Sequence, residues 1–252
     1  MLENLSNIEL YKKINEGYDG QMITDIIKNN TIKEMKKRLE INLGKSNSDK
    51  LIDCLKKENV IISGSFIIQC MLGEYWTQSD IDIFYITDEK DVDISFVNEN
   101  DFLLVHYPSC IYERFLGDYL YRYAILKNKH TGELVQILNL SNNSMKSLDL
   151  NDIFDFDICK NYFHYKNGNE VLDIYDIDSI MNKKIASIQT EKFELFLIFT
   201  RLRKYKKRGF EFDENEYNKI LEKCKKTYRD IDELKDYGPD DWVADRWKDE
   251  KM

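Results

Sequence analysis

The residues in this chain whose types and spacing suit chemistry are two acids one residue apart, Asp80 and Asp82, and a small-residue break, Ser63-Gly64-Ser65. The acids flank Ile81 at the head of a β-branched and aromatic run, Ile81-Asp82-Ile83-Phe84-Tyr85-Ile86. Side chains two apart in a strand leave the same face, so both carboxylates project together while Ile81 and Ile83 turn the other way. Paired carboxylates repel and stay ionised most readily with a cation between them, and a hard, oxygen-seeking ion such as Mg²⁺ suits that place. The break separates the apolar run Val60-Ile61-Ile62 from Phe66-Ile67-Ile68-Gln69-Cys70-Met71-Leu72, long enough for two helical turns. A strand-to-helix turn of this kind offers backbone N–H groups, a hydroxyl and the positive end of a helix dipole to a phosphate. Gly64 lets a bulky anion approach the main chain, and Ser65 can donate to it. Each half alone is ordinary, since such turns are common and an acidic strand head can simply be a solvated edge. Jointly they suit phosphoryl or nucleotidyl transfer, one half gripping a triphosphate and the other holding the metal that bridges it.

Several elements must position these groups. Helix-like spacings of Leu10, Tyr11 and Ile14, then Ile23, Ile26 and Ile27, predict helices across residues 1–44, punctuated by Gly17 and Gly20. Ser46-Asn47-Ser48-Asp49 predicts a cap for a helix over 50–58 that runs directly into Val60. Residues 102–106 predict a short strand, and residues 121–126 and 133–140 a β-hairpin around Lys127-Asn128-Lys129-His130-Thr131-Gly132. Ile153-Phe154-Asp155-Phe156-Asp157-Ile158-Cys159 alternates apolar and acidic residues. It predicts a strand with Asp155 and Asp157 on one face, facing either water or the metal; a further hairpin follows around Lys166-Asn167-Gly168-Asn169. From 178 to 208 the apolar stripe of Ile180, Ile185, Ile188, Phe193, Leu195, Phe196, Ile198 and Leu202 predicts helix, stopped at Gly209. It ends in the densest basic stretch of the chain, where Arg201, Lys204 and Arg208 fall near one face. They answer the helix dipole, reach a triphosphate, or reach an RNA backbone. A helix over 217–228 and a tail with Trp242 and Trp247 complete the chain. His106 and His164 are candidate bases, more ordinary as packed or exposed histidines, and the acidic stretch 88–93 lacks a calcium-loop pattern.

The order helix, strand, Gly-Ser turn, helix, Ser79-Asp80-Ile81-Asp82-Ile83-Phe84 resembles the signature of the nucleotidyltransferase superfamily, which includes DNA polymerase β, poly(A) polymerases and aminoglycoside nucleotidyltransferases. Phe154-Asp155-Phe156-Asp157-Ile158-Cys159-Lys160, together with Ser63-Gly64-Ser65-Phe66-Ile67-Ile68-Gln69, the segment 79–84 and Arg203-Lys204-Tyr205-Lys206-Lys207-Arg208-Gly209-Phe210, is similar to members from large DNA viruses, phages and fungi. The resemblance spans roughly residues 50–210. It implies an α+β fold, a mixed β-sheet flanked by helices. With the helical segments at either end, the chain divides into an N-terminal helical extension (1–44), a nucleotidyltransferase-like domain (45–178) and a C-terminal helical region (179–252). It also implies two Mg²⁺ or Mn²⁺ ions on three carboxylates, with Asp80 and Asp82 as catalytic metal ligands. The NTP phosphates would lie on Ser63, Gly64 and Ser65, with Arg201 and Lys204 in reach. Where the third carboxylate belongs, within Leu134-Val135-Gln136-Ile137-Leu138, this chain has Gln136, a neutral donor; Asp155 or Asp157 is then the substitute ligand. The implied activity is transfer of an NMP from an NTP to an acceptor hydroxyl on RNA, a protein or a small molecule. The alternative is a pseudoenzyme that keeps the fold to bind a nucleotide or a protein.

Composition narrows the setting. Hydrophobic residues at 42% and aromatics at 13% exclude a disordered chain, and a net charge of −9 argues against a surface that broadly coats nucleic acid. Five scattered cysteines without a C-x-x-C pair argue against zinc and a disulfide framework and predict reduced thiols. With no leader pattern and no membrane-length apolar run, the expectation is an intracellular protein without a membrane, cytoplasmic, or in the host cytoplasm if viral.

Overall fold

A computed structural model describes Leu2 and residues 5–57, 59–77, 79–87, 94–105, 120–141, 153–190 and 195–227. The acidic stretch 88–93, His106 and the tail with Trp242 and Trp247 lie outside these residues. Three helices come first: α1 (Asn7–Asn15), α2 (Gly20–Leu43) and α3 (Lys45–Leu55). A capping box between Ser6 and Glu9 starts α1, and the Asp19 side chain accepts the Met22 N–H at the head of α2. The expected cap at 46–49 is not used. Gly44, at φ 82°, turns the chain and α3 begins at Lys45. Asn47 instead lies buried within α3, donating to the Leu43 carbonyl and to Asp101.

Seven strands form one mixed sheet: β1 (Val60–Ser63), β2 (Asp80–Thr87), β3 (Phe102–Val105), β4 (Leu120–Asn128), β5 (Leu134–Ser141), β6 (Tyr162–Lys166) and β7 (Asn169–Asp173), in the spatial order β3-β4-β5-β2-β1-β6-β7. Among the described strands of the sheet, β2 and β5 pair parallel and the other pairings are antiparallel, including the hairpins β4–β5 and β6–β7 that the turn residues predict. Between β1 and β2 lies helix α4 (Ser65–Leu72), all eight of whose residues are buried. Helices α3 and α4 lie against β1 and β2, and α1 and α2 pack on α4. After β7 come α5 (Ile177–Met181), α6 (Leu195–Lys207) and α7 (Glu214–Thr227). One hydrophobic core runs from Leu10 in α1 to Cys224 in α7 and centres on β1, α4, β2 and β5. The four cysteines within it are free and buried, and among the described residues no helix is long and apolar enough to cross a membrane.

Two sequence expectations give way here. The helix predicted from 178 is interrupted: Lys183 adopts φ 50°, Lys184 bridges to Glu211, and Ile188 bridges to Phe156. The apolar positions 185 and 188 thus serve an extended segment that pairs across the core. Residues 153–159 are likewise no strand; Phe156 makes an isolated bridge and residues Asp157–Cys159 close a 3₁₀ turn.

Candidate functional site

Asp80 opens β2, whose central place in the sheet buries every residue from Ile81 to Tyr85. Asp80 is partly exposed at the strand head, whereas Asp82 is 6% exposed. Antiparallel pairing sets Ser63 opposite Asp82, which brings the end of β1 and its bend beside the acids. Gly64 has φ 79° and ψ −154°, a region open to glycine almost alone. A Cβ added there would collide with Asp82 Oδ2, so the bend lies directly against that carboxylate. No side chain caps α4, whose first N–H groups follow the bend.

The flanking serines are committed to holding this shape. Ser63 is fully buried, its hydroxyl donating to the Asn161 carbonyl, rather than facing a phosphate. Ser65 Oγ lies 3.1 Å from Ser79 Oγ, and Gln69 Nε2 donates to the same Ser79 hydroxyl at 2.8 Å. The residue before Asp80 is therefore tied to the first and fifth residues of α4. The intervening loop is gripped from outside: buried Arg38 of α2 donates to the Glu74 carbonyl and stacks 3.8 Å from the Tyr75 ring, while Lys183 pairs with Glu74 at 2.6 Å. Trp76 packs edge-on against Tyr205 and Phe210.

On the other side of β2, the parallel pairing sets Gln136 opposite Asp82 and Leu134 opposite Asp80. Gln136 Nε2 donates to Asp80 Oδ2, so an amide occupies the place where the resemblance calls for an acid. Glu133, which the sequence places at the head of the predicted strand 133–140 with no motif to mark it as a site residue, immediately precedes β5. Burial, with the charge of Asp80 adding to it, pushes its carboxyl up to about 7.

Asp155 and Asp157 have other partners. Asp155 is 2% exposed and its Oδ1 pairs with Arg201 Nη1 at 2.7 Å; burial raises its carboxyl above the usual range although the guanidinium pulls the other way. Asp157 accepts three backbone N–H groups, from Ile158 at 2.9 Å and from Ala186 and Ser187 at 2.9 and 3.0 Å. Burial raises its carboxyl also. Among the described residues no group of three or more acids, histidines or cysteines could hold a metal ion, so the four aspartates do not assemble into one cluster. The segment is nevertheless close by. Phe84, two residues beyond Asp82 and on its face, meets Phe154 edge-on at 6.0 Å. The buried Cys159 thiol is pushed up to about 11, by burial first, with Asp155 and Asp82 raising it further and Arg201 opposing. Arg201 thus lies beside Asp155 and Cys159, while Lys204, one helical turn on in α6, is partly buried. Arg208 stacks on Trp76 at 4.2 Å. His164 is occupied with Asp173 across β6–β7 at 2.9 Å.

The donor set suits a single hard divalent cation: two carboxylates on one strand face, one of them buried, beside a bend that leaves main-chain N–H groups uncapped. It falls short of the three-carboxylate, two-ion set that the resemblance implies. No family model matches this chain, and no curated protein does. Solved structures similar to it include a CCA-adding enzyme of Thermotoga maritima complexed with tRNA (17% identity, 76% of this chain and 45% of that one, TM-score 0.46). A CCA-adding enzyme with CTP (17%, 76% and 44%, 0.44) and a tRNA-processing enzyme (14%, 73% and 48%, 0.44) are further examples. The chain spans about half the length of these structures. At TM-scores below 0.5 they lend nothing to the assignment of chemistry, which rests on the residues above.

Proposed function

We propose that this protein is a nucleotidyltransferase that moves a nucleoside monophosphate from an NTP to an acceptor hydroxyl, using the edge formed by Gly64, Asp80 and Asp82. The observation that carries the reading is the close approach of the Asp82 carboxylate to Gly64, which joins a phosphate cradle to a metal-ligand pair across one register position. Asp80 and Asp82 would hold Mg²⁺ or Mn²⁺, which when bound neutralises phosphate charge and stabilises the leaving pyrophosphate. The Gly64 bend and the first N–H groups of α4 orient the triphosphate. Ser63, Ser65 and Ser79 fix the distance between cradle and acids. Arg201, held by Asp155, adds positive charge on the Cys159 side; Lys204 is the next cation along α6. The acceptor oxygen attacks the α-phosphorus, the bond to the bridging oxygen breaks, pyrophosphate leaves, and the hydroxyl proton passes to water or a carboxylate. Kinship with the viral-type branch rests on the segments 63–69, 79–84, 154–160 and 203–210 of the sequence.

A specific observation favours a second reading, a nucleotide-binding module without turnover: Gln136 ties up Asp80 in place of a third acid. Incubation with α-phosphate-labelled NTPs and Mg²⁺ or Mn²⁺, against total RNA and protein, separates the two. Label moved by the wild type and not by Asp80→Ala/Asp82→Ala supports transfer. NTP binding without label movement supports the module, and label movement that survives the double substitution removes both acids from the mechanism.

A further inference from the structure

Gln136 is fixed beside the acid pair by its main chain, which is held on both sides, by Asp82 of β2 and by Ile125 of β4. Residues directly opposite in a sheet share a face, so the Gln136 side chain leaves beside Asp82 and crosses to Asp80, where Nε2 donates to Oδ2. A carboxylate oxygen accepts hydrogen bonds, so the amide nitrogen makes this contact and the amide oxygen cannot. The oxygen is the atom of the amide that suits a hard cation, and it is the other atom that meets Asp80.

The other register positions around the pair supply no further acid. Across β1 from Asp82 is Ser63, whose hydroxyl donates to the Asn161 carbonyl; Asp80 is opposite Leu134, and Gln136 is opposite Ile125. Asp155 is paired with Arg201, and Asp157 accepts three backbone N–H groups. Among the described residues no third acid, histidine or cysteine joins Asp80 and Asp82 in a set that could hold a metal. Two dications about 4 Å apart repel about four times as strongly as two unit charges at that separation, and anionic ligands must offset this. Two carboxylates, one of them with an oxygen already on an N–H donor, balance a single dication. From this we infer that the site takes one divalent cation, and that Gln136, a neutral amide holding Asp80, is the residue that limits it to one. The inference rests on Asp80 and Asp82 as metal ligands but not on turnover.

The test counts Mn²⁺ bound per chain by equilibrium dialysis with a saturating non-hydrolysable NTP, and reads whether bound ions are neighbours by electron paramagnetic resonance, on wild type and Gln136→Glu. The wild type should hold about one ion, with the hyperfine pattern of an isolated Mn²⁺. In Gln136→Glu the added carboxylate should raise the count to about two, with the spin-coupled signal of adjacent ions. A spin-coupled pair in the wild type overturns the single-ion site while leaving Asp80 and Asp82 as metal ligands. A Gln136→Glu protein with the wild-type Tm that still holds a single isolated ion overturns the role of Gln136. Should Gln136→Glu lose its folded circular dichroism, Gln136→Asp takes its place under the same criterion, and the wild-type spectrum decides the number of ions in either case. A wild type that binds no Mn²⁺ overturns Asp80 and Asp82 as metal ligands, and this inference with them.

Discussion

Of the segments that carry the three-residue pattern acid-apolar-acid, Asp80-Ile81-Asp82 and Asp155-Phe156-Asp157 use it in opposite ways. Asp80-Ile81-Asp82 heads a central strand, with both neighbours hydrogen-bonded and one carboxylate pressed against a glycine that leaves no room for a side chain. Asp155-Phe156-Asp157 lies in an irregular segment that lacks a continuous strand partner, and its carboxylates substitute for the missing ladder: Asp157 binds three backbone N–H groups and Asp155 binds Arg201. A carboxylate whose oxygens are filled by the chain's own donors contributes to folding. One set at a strand head against the bend that starts a helix is placed to serve a ligand. The difference lies in the backbone around each pair, not in spacing or residue type.

The contrast is broken most severely if the two pairs respond alike to substitution. For the first pair, Asp82→Ala is expected to reduce nucleotidyl transfer by about a thousandfold or more while leaving the far-UV circular dichroism and Tm close to wild type, because a developing-charge site is disrupted without removal of core contacts. For the second, Asp157→Ala is expected to act through stability. Loss of three charge-assisted bonds to main-chain N–H groups costs about 3–5 kcal/mol in urea unfolding. An Asp157→Ala protein as stable as wild type would erase the distinction between the two pairs.

Two smaller effects sharpen the comparison. Gly64→Ala is expected to destabilise by about 2–3 kcal/mol, since alanine is strained at φ 79° and its Cβ displaces the Asp82 carboxylate; nucleotide affinity should fall with it. Glu133, beside the first pair, supplies a pH signature that its own substitution isolates from the raised carboxyls of Asp155 and Asp157. Its carboxyl is raised from the ordinary 4.5 to about 7 in the folded protein, so between these values the folded state binds the extra proton. Its contribution to stability is present below pH 4.5 and lost as pH rises through about 7. Urea midpoints measured across that window should fall less steeply for Glu133→Gln than for wild type. Parallel slopes would show that burial and the charge of Asp80 do not raise the Glu133 carboxyl.

Much of the architecture is legible in the sequence because its signals are local. The turns at Asn128 to Gly132 and at Asn167-Gly168 specify hairpins, and Val60 to Leu72 specify strand, bend and helix. The placement of Gln136 beside the acid pair is what the family resemblance implies, and the β2–β5 register has it opposite Asp82. What escapes is set by partners distant in sequence. Alternation at 153–159 reads as a strand, yet Phe156 and Ile188 bridge across the core and Asp157 turns back to Ala186 and Ser187. The apolar stripe at 180–188 reads as helix because Ile180, Ile185 and Ile188 keep a helical spacing while the backbone at Lys183 does not. Asn161 escapes for the same reason, since its type does not signal the bend that it supports until the β1–β6 register is known.

The most direct test is crystallographic. Crystals grown with Mn²⁺ and a non-hydrolysable NTP should show the anomalous manganese signal at Asp80 and Asp82 and the triphosphate against the Gly64 main chain. Manganese or nucleotide bound elsewhere, with this edge closed by side chains, would contradict the assignment of this strand head as the site of nucleotidyl transfer.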